Sequence, residues 1–237
     1  MYPCIERAGL FPDKLAINDK GNLFTYAQLS QAAAAISAEL LQQETDLCEA
    51  RVAFMIPPGK DYVATLWGIW QAGGVAVPLC LTYPLPALQY VIEDTGSKII
   101  VVAREYAAVL DEYCRQQNIR LLVIDTIQSA PPVTFPQIDI NRRALILYTS
   151  GTTSKPKGVV TTHANINAQV TTLVEAWGWT NLDSTICVLP LHHVHGIINV
   201  VCCSLYAGAS CVFLEGFSAP AVFDWLLSGK LSVFMAV

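Results

Sequence analysis

The chain has 237 residues, of which 53% are hydrophobic and 14% charged, with 19 acidic against 14 basic side chains and a formal charge of −5. That length can enclose one large domain or two smaller ones, and so apolar a composition excludes a disordered chain. With no basic face, the charge balance argues against nucleic acid as a partner, so any anionic ligand must be met by local positive charge.

The first residues, MYPCIERAGLFPDK, carry Glu6, Arg7, Asp13 and two prolines, with no signal-peptide core and little resemblance to a transit peptide. A helix is predicted from Thr25, where Thr25 and Gln28 read as a capping box ahead of Leu29, Ala32, Ala33, Ile36 and Leu40. Apolar, strand-like runs then alternate with helical patterns. RVAFMI (51–56) precedes a helix over Asp61 to Ala72, and VAVPL (75–79) one over Leu85 to Asp94. KIIVVA (98–103) precedes a helix over Glu105 to Gln117, and RLLVID (120–125) leads into a proline-rich connector at 129–143. ALILYT (144–149) and GVVTT (158–162) follow as strands, then a helix over Ala164 to Trp177 and the strand TICVLP (185–190). SCVFL (210–214), a helix over Ala219 to Leu227 and LSVFMAV (231–237) complete the series. This alternation predicts an α/β fold, layered around largely parallel sheets.

Two stretches need separate argument. GIINVVCCSLYAGASCVFL (196–214) is almost long enough to span a bilayer, but Asn199, Ser204, Gly208 and Ser210 interrupt it. It is read as a buried helix followed by a buried strand, and no membrane span is expected. LSVFMAV is read as a buried strand on which the chain stops. A domain rarely ends on an uncovered apolar strand, so a longer protein is expected.

Eight cysteines, at 4, 48, 80, 114, 187, 202, 203 and 211, form no Cys-x-x-Cys, and no Cys/His spacing matches a zinc site. They point to a reducing compartment. The cytoplasm is expected, with the mitochondrion as the alternative if an upstream transit segment is missing.

The chemistry concentrates in YTSGTTSKPKGV (148–159). A phosphate chain needs several N–H and O–H donors and a positive charge or two. Glycine permits close backbone approach, successive N–H groups can form an anion-binding concavity, and Ser150, Thr152, Thr153 and Ser154 add hydroxyls. Pro156 biases Lys155 toward an extended conformation, in which Lys155 and Lys157 could project to one side. The spacing is not that of a Walker A loop, and a plain hairpin between 144–149 and 158–162 is the alternative reading. LPLHHVHGIINV (189–200) brings three histidines into four residues. By themselves these could be a partly exposed turn or a weak metal site, although no third ligand of the right kind is evident for His192 and His195.

Together the two blocks resemble the signatures of AMP-forming acyl-CoA synthetases, members of the adenylate-forming enzymes. Ser154 stands where that family usually has glycine. TTHAN (161–165) and TYAQL (25–29) fit as well, and the HHVHG form is most similar to malonyl- and methylmalonyl-CoA synthetases. The resemblance covers essentially the whole chain, but only the amino-terminal part of a full family member. It implies a reaction in which a carboxylate attacks the α-phosphate of ATP to give an acyl-adenylate, from which CoA then displaces AMP. ATP, Mg2+ and CoA are the implied cofactors and co-substrates, and the partner is a small carboxylic acid, malonate-like, with an aryl or fatty acid as the alternative.

Carried over by residue, Thr149, Ser150, Gly151, Thr152, Thr153, Ser154, Lys155, Lys157 and Gly158 would cradle the β- and γ-phosphates. His193 would stand near the reacting carboxylate, with His195 and Gly196 beside the acyl pocket. No metal-ligating residue is assigned. The resemblance further implies that residues 1–237 are a partial amino-terminal domain. The later family motifs, including the ribose-binding aspartate, the carboxy-terminal lid domain and the arginine for a distal carboxylate, would lie beyond Val237. The chain alone is therefore expected to lack turnover. A non-catalytic nucleotide-binding or scaffold remnant of the same family is the alternative.

Overall fold

The alternation of apolar runs and helices resolves into two sheets. A computed structural model describes residues 3–128, 134–149 and 155–237. After α1 (Pro3–Ala8), the hairpin of β1 (Leu15–Asp19) and β2 (Asn22–Thr25) leads into α2 (Tyr26–Leu41). Successive strand–helix units follow: β3 (Arg51–Met55), α3 (Lys60–Gln71), β4 (Val75–Pro78), α4 (Leu85–Thr95), β5 (Ile99–Val102), α5 (Arg104–Gln116) and β6 (Arg120–Val123). β7 (Arg143–Thr149) and β8 (Lys157–Thr162) form a hairpin before α6 (His163–Ala176) and β9 (Ser184–Cys187). A π-helical stretch, His195–Cys202, merges into α7 (Cys203–Ala207), followed by β10 (Ser210–Phe213), α8 (Ala219–Leu227) and β11 (Val233–Phe234).

One sheet has the order β11-β9-β10-β1-β2 and the other β6-β5-β3-β4-β7-β8. Each is parallel except for one antiparallel pair, β1–β2 in the first and β7–β8 in the second. The parallel strands are the apolar runs, since helices cover both their faces. Local signals fix the helix starts. Thr25 N–H donates to Gln28 Oε1 at 2.8 Å while Thr25 Oγ1 accepts from Gln28 N–H, and Thr162 with Asn165 repeats the arrangement at α6.

The stretch at 196–214 is the expected helix and strand. Its interrupting Asn199 accepts a 2.8 Å hydrogen bond from Gln169 Nε2, and Gly208, at φ 78°, ends α7. Among the described residues no helix is long and apolar enough to cross a membrane. The reading of LSVFMAV as a buried strand is corrected. Only Val233 and Phe234 pair, at a sheet edge against β9, with Phe234 40% exposed. Leu231, Val233 and Met235 are half-buried, the last two packed against the core, while Ser232, Phe234 and Ala236 are exposed, so the segment is covered on one side only.

α3 organises the core. Every residue from Tyr62 to Trp70 is buried, and the helix packs against α2, β1 and β4, touching both sheets. Tyr62 Oη donates to the Leu191 carbonyl at 2.6 Å, and Trp70 Nε1 donates to the Ala144 carbonyl at 2.7 Å. Behind Trp70 lies His163, 1% exposed, its ring 5.9 Å away and edge-on.

Two predictions follow from these buried groups. Tyr62→Phe removes a donor from a buried carbonyl and costs about 1–3 kcal/mol, read as a lower urea midpoint at unchanged slope. An unchanged midpoint would mean that the bond holds nothing in place. For His163, burial first, and then the charge of Arg142, push the pKa down from 6.5 to about 4, opposed by Glu49. The folded state therefore favours the neutral ring. Its contribution is fully present above the unfolded value near 6.5 and is lost as pH falls toward 4, amounting to about 3 kcal/mol across that window. Between pH 7.5 and pH 5 the wild type should lose more stability than His163→Gln; parallel losses would contradict the assignment.

Candidate functional site

β7 is buried over Ala144–Leu147 and emerges at Tyr148 and Thr149, so the segment after it leaves the sheet edge from a fixed base. Two arginines at its start anchor that base. Arg142 donates to both carboxylate oxygens of Asp46, at 2.7 and 2.9 Å, and to the Gly73 carbonyl at 2.7 Å. Arg143 grips Glu49, and each of these arginines holds its carboxylate partner's pKa below the ordinary value.

In the β7–β8 hairpin Tyr148 stands opposite Gly158, and Thr149 opposite Lys157. Space is tight at Gly158, where a Cβ would lie 3.2 Å from Tyr148 Cζ and 3.1 Å from Ile146 Cγ2. Ser150, Gly151, Thr152, Thr153 and Ser154 lie outside the described residues. Lys155 and Lys157 flank them, both exposed, and among the described residues neither makes an ion pair. The Lys155 ammonium lies 5.7 Å from the centroid of the Tyr90 ring. Tyr90 Oη donates to the Pro156 carbonyl at 2.9 Å, and its ring meets Tyr148 edge-on at 6.1 Å. Tyr148 Oη donates to Asp94. Burial, and then this carboxylate, raise the Tyr148 pKa, so the phenol stays protonated as the donor.

The histidine turn follows β9. Tyr62 holds its backbone at Leu191, and Gly196 lets the following helix pack onto it, since a Cβ there would lie 2.7 Å from the Pro190 carbonyl oxygen. His192 is half-buried, His193 exposed, and the two rings lie 4.2 Å apart. Burial, then the neighbouring His193, lower the His192 pKa. Tyr83 sits 6.3 Å from His192. His195, half-buried, opens the π-helical stretch, and Gly196 is buried.

The two blocks approach one another. Tyr148, Tyr83 and His192 line one small void with Pro78 and Leu79. Beside it a cleft of ≈ 290 Å3 opens between the ends of β3 and β4 and the segment after β9, lined by Ile56, Pro58, Tyr62, Leu79–Thr82 and Pro190–His192. Contacts thus run from Lys155 through Tyr90 and Tyr148 to the void shared with His192, and on to His193. A larger, open depression of ≈ 460 Å3 at Cys48, Glu49, Asp139, Asn141 and Arg142 is away from this region, and its charged groups are paired with one another or with neighbours.

Among the described residues no group of three or more His, Cys, Asp or Glu side chains is placed to hold a metal ion. Tyr62, Tyr83, Tyr90 and Asp94 were not singled out from the sequence. The last two are four apart on a predicted helix, a spacing that puts them on one face, but nothing in the pattern says what that face meets.

The sequence profile of the AMP-binding enzyme family matches residues 5–237. Mitochondrial malonate–CoA ligase ACSF3 of Xenopus laevis is 38% identical over 253 residues, a match covering 100% of this chain and 44% of the relative. Its Homo sapiens counterpart is 39% identical over 249 residues, covering 99% and 43%. The chain thus spans less than half the length of these curated relatives. Among solved structures, apo MatB from Rhodopseudomonas palustris matches with a TM-score of 0.88 at 26% identity, covering 100% of this chain and 50% of that one. ATP-bound MatB matches at 0.87 and 27%, covering 100% and 49%. A profile match across nearly every residue, on two largely parallel sheets shared with MatB, establishes that the chain belongs to the AMP-binding enzyme family.

Proposed function

We propose that this chain is the nucleotide- and acid-binding portion of an AMP-forming malonate–CoA ligase, within a partial amino-terminal domain. The observation that carries the reading is the approach of the lysine-bearing hairpin to the histidine turn across the void shared by Tyr148 and His192. Its specificity rests on relatives named malonate–CoA ligase that match the whole chain, and ATP is the nucleotide in the MatB complex.

In the proposed reaction a malonate carboxylate oxygen attacks the α-phosphorus of ATP. The bond to the pyrophosphate oxygen breaks, giving malonyl-adenylate and pyrophosphate. The CoA thiol then attacks the acyl carbon, AMP departs and the thioester forms. No covalent bond to the protein is needed, so the chain acts by positioning and by neutralising charge. Thr149 to Gly158 would cradle the β- and γ-phosphates, with Lys155 and Lys157 offsetting the charge of departing pyrophosphate. His193, exposed at the turn, would donate to the reacting carboxylate. His195 and Gly196 would shape the acid pocket. Magnesium would arrive with the nucleotide, and no step is assigned to it here. Spanning less than half of its relatives, the chain alone would bind nucleotide without completing turnover. The relatives' names favour the mitochondrion over the cytoplasm.

Calorimetric titration of ATP into the 237-residue chain tests the cradle. The chain should bind ATP, and Lys157→Ala should weaken that binding about tenfold, the scale of one charge-assisted contact. Absent binding, or an unchanged affinity in the variant, would reject the site. For specificity, malonate added with ATP should tighten binding where octanoate does not; the reverse preference would point to a fatty-acid ligase.

A further inference from the structure

We infer that α4 positions the cationic base of the phosphate loop through Tyr90 and Asp94, an inference that rests on the phosphate-cradle reading above. The two residues are four apart, one turn of α4, and both reach the β7–β8 hairpin. They hold opposite sides of it. Asp94 accepts from Tyr148 at the end of β7. Tyr90 donates to the Pro156 carbonyl, 2.9 Å away on the returning side, lies beneath the Lys155 ammonium, and touches the Tyr148 ring. α4 itself is fixed. Leu88, Val91, Ile92 and Thr95 are buried, and Arg51 Nε donates to the Thr95 carbonyl at 2.6 Å.

The choice of groups fits an anion site. A carboxylate beside Lys155 would orient the lysine but cancel the charge a phosphate must meet. An aromatic face attracts the ammonium and leaves its charge available. Asp94, on the same helix, accepts from the Tyr148 hydroxyl and makes no ion pair with Lys155 among the described residues. The hydrogen bond to Pro156 fixes the backbone between Lys155 and Lys157, so one tyrosine controls both the position of the peptide and the direction of its first lysine. Tyr90 and Asp94 touch no substrate in this arrangement; they act through Lys155, Pro156 and Tyr148.

The test is calorimetric binding of inorganic tripolyphosphate to the 237-residue chain, with thermal unfolding recorded for each variant. Tyr90→Leu should weaken binding about tenfold, and Tyr90→Phe, which keeps the ring but loses the Pro156 bond, by a smaller factor. Asp94→Ala should weaken binding, whereas Asp94→Asn, whose amide oxygen can still accept from Tyr148, should restore it. The decisive readout is coupling. In a Lys155→Ala background, Tyr90→Leu should cost no more than Tyr90→Phe does in the wild type, because only the Pro156 bond is then left to lose. A Tyr90→Leu loss that is undiminished without Lys155, or tripolyphosphate affinity within about twofold of wild type in the folded Tyr90→Leu chain, would overturn the inference. Should Tyr90→Leu fail to fold, the Asp94 pair decides it: equal losses in Asp94→Ala and Asp94→Asn, or no loss in either, would overturn the inference. A wild-type chain that binds no tripolyphosphate would overturn the nucleotide reading itself, and this inference with it.

Discussion

The site depends on one buried helix having two polar ends to its contacts. α3 is apolar on every side and so must be enclosed, which places it between the two sheets. Its Tyr62 and Trp70 are eight residues apart, about 12 Å along the axis. Each donates to a main-chain carbonyl, Tyr62 to Leu191 after β9 and Trp70 to Ala144 in β7. One carbonyl belongs to the segment carrying the histidines and the other to the strand leading to the lysine hairpin. In so dry an interior, neither bond can be exchanged for water without exposing the core. The two sheets are therefore held in one register by one rigid rod, and the distance between the two chemical blocks is set by helix geometry rather than by the loops that carry them. The cleft then falls outside the carboxyl ends of β3 and β4, where parallel strands leave main-chain groups and loop ends facing a common crevice.

Most of this architecture was legible because parallel strands and capped helices leave strong local marks. Thr25–Gln28 identified the start of α2 from four residues, and the helix at Ala219–Leu227 was read with the bounds the structure shows. The β1–β2 hairpin was passed over. β2 is only four residues long, with Asn22 and Leu23 exposed, so it lacks an apolar run. Its mark is in the turn instead, where Lys20 and Gly21 both adopt positive φ, at 54° and 91°, a two-residue connection suited to hairpin twist. LSVFMAV failed for the opposite reason. Composition reports that a segment is apolar, whereas burial depends on a covering layer, and here the core covers only alternate residues, Val233 and Met235.

The candidate site divides along the same line. Thr149, Lys155, Lys157, Gly158 and the three histidines are marked by residue type and close spacing, which a linear reading detects. Tyr62, Tyr90 and Asp94 are ordinary helix residues in sequence, and only the packing of α3 and α4 gives them partners 129, 66 and 54 positions away. Gly196 lies between these cases. It was read as a neighbour of the acid pocket, and the structure supplies a packing cause, the proximity of Pro190.

Charge placement accounts for how an acidic chain would present the proposed anion site. Arginine makes most of the ion pairs among the described residues: with Asp46, Glu49, Glu39, Asp111 and Asp125. Its planar fork suits fixed, two-point contacts, and Arg142 uses it to join Asp46 and Gly73 at the foot of β7. Lysine is a compact charge on a flexible stem, less useful as a brace but well suited to meeting a phosphate. At the hairpin the two roles lie along one strand pair: arginines at 142 and 143 neutralised by carboxylates, lysines at 155 and 157 without an ion pair among the described residues. With a formal charge of −5 over the whole molecule, the long-range field discourages extended polyanions, while two unneutralised ammonium groups close to the hairpin can still attract a short one. Under the proposed function, the contrast between braced and unbraced cations, rather than total charge, would favour a compact triphosphate over a nucleic acid.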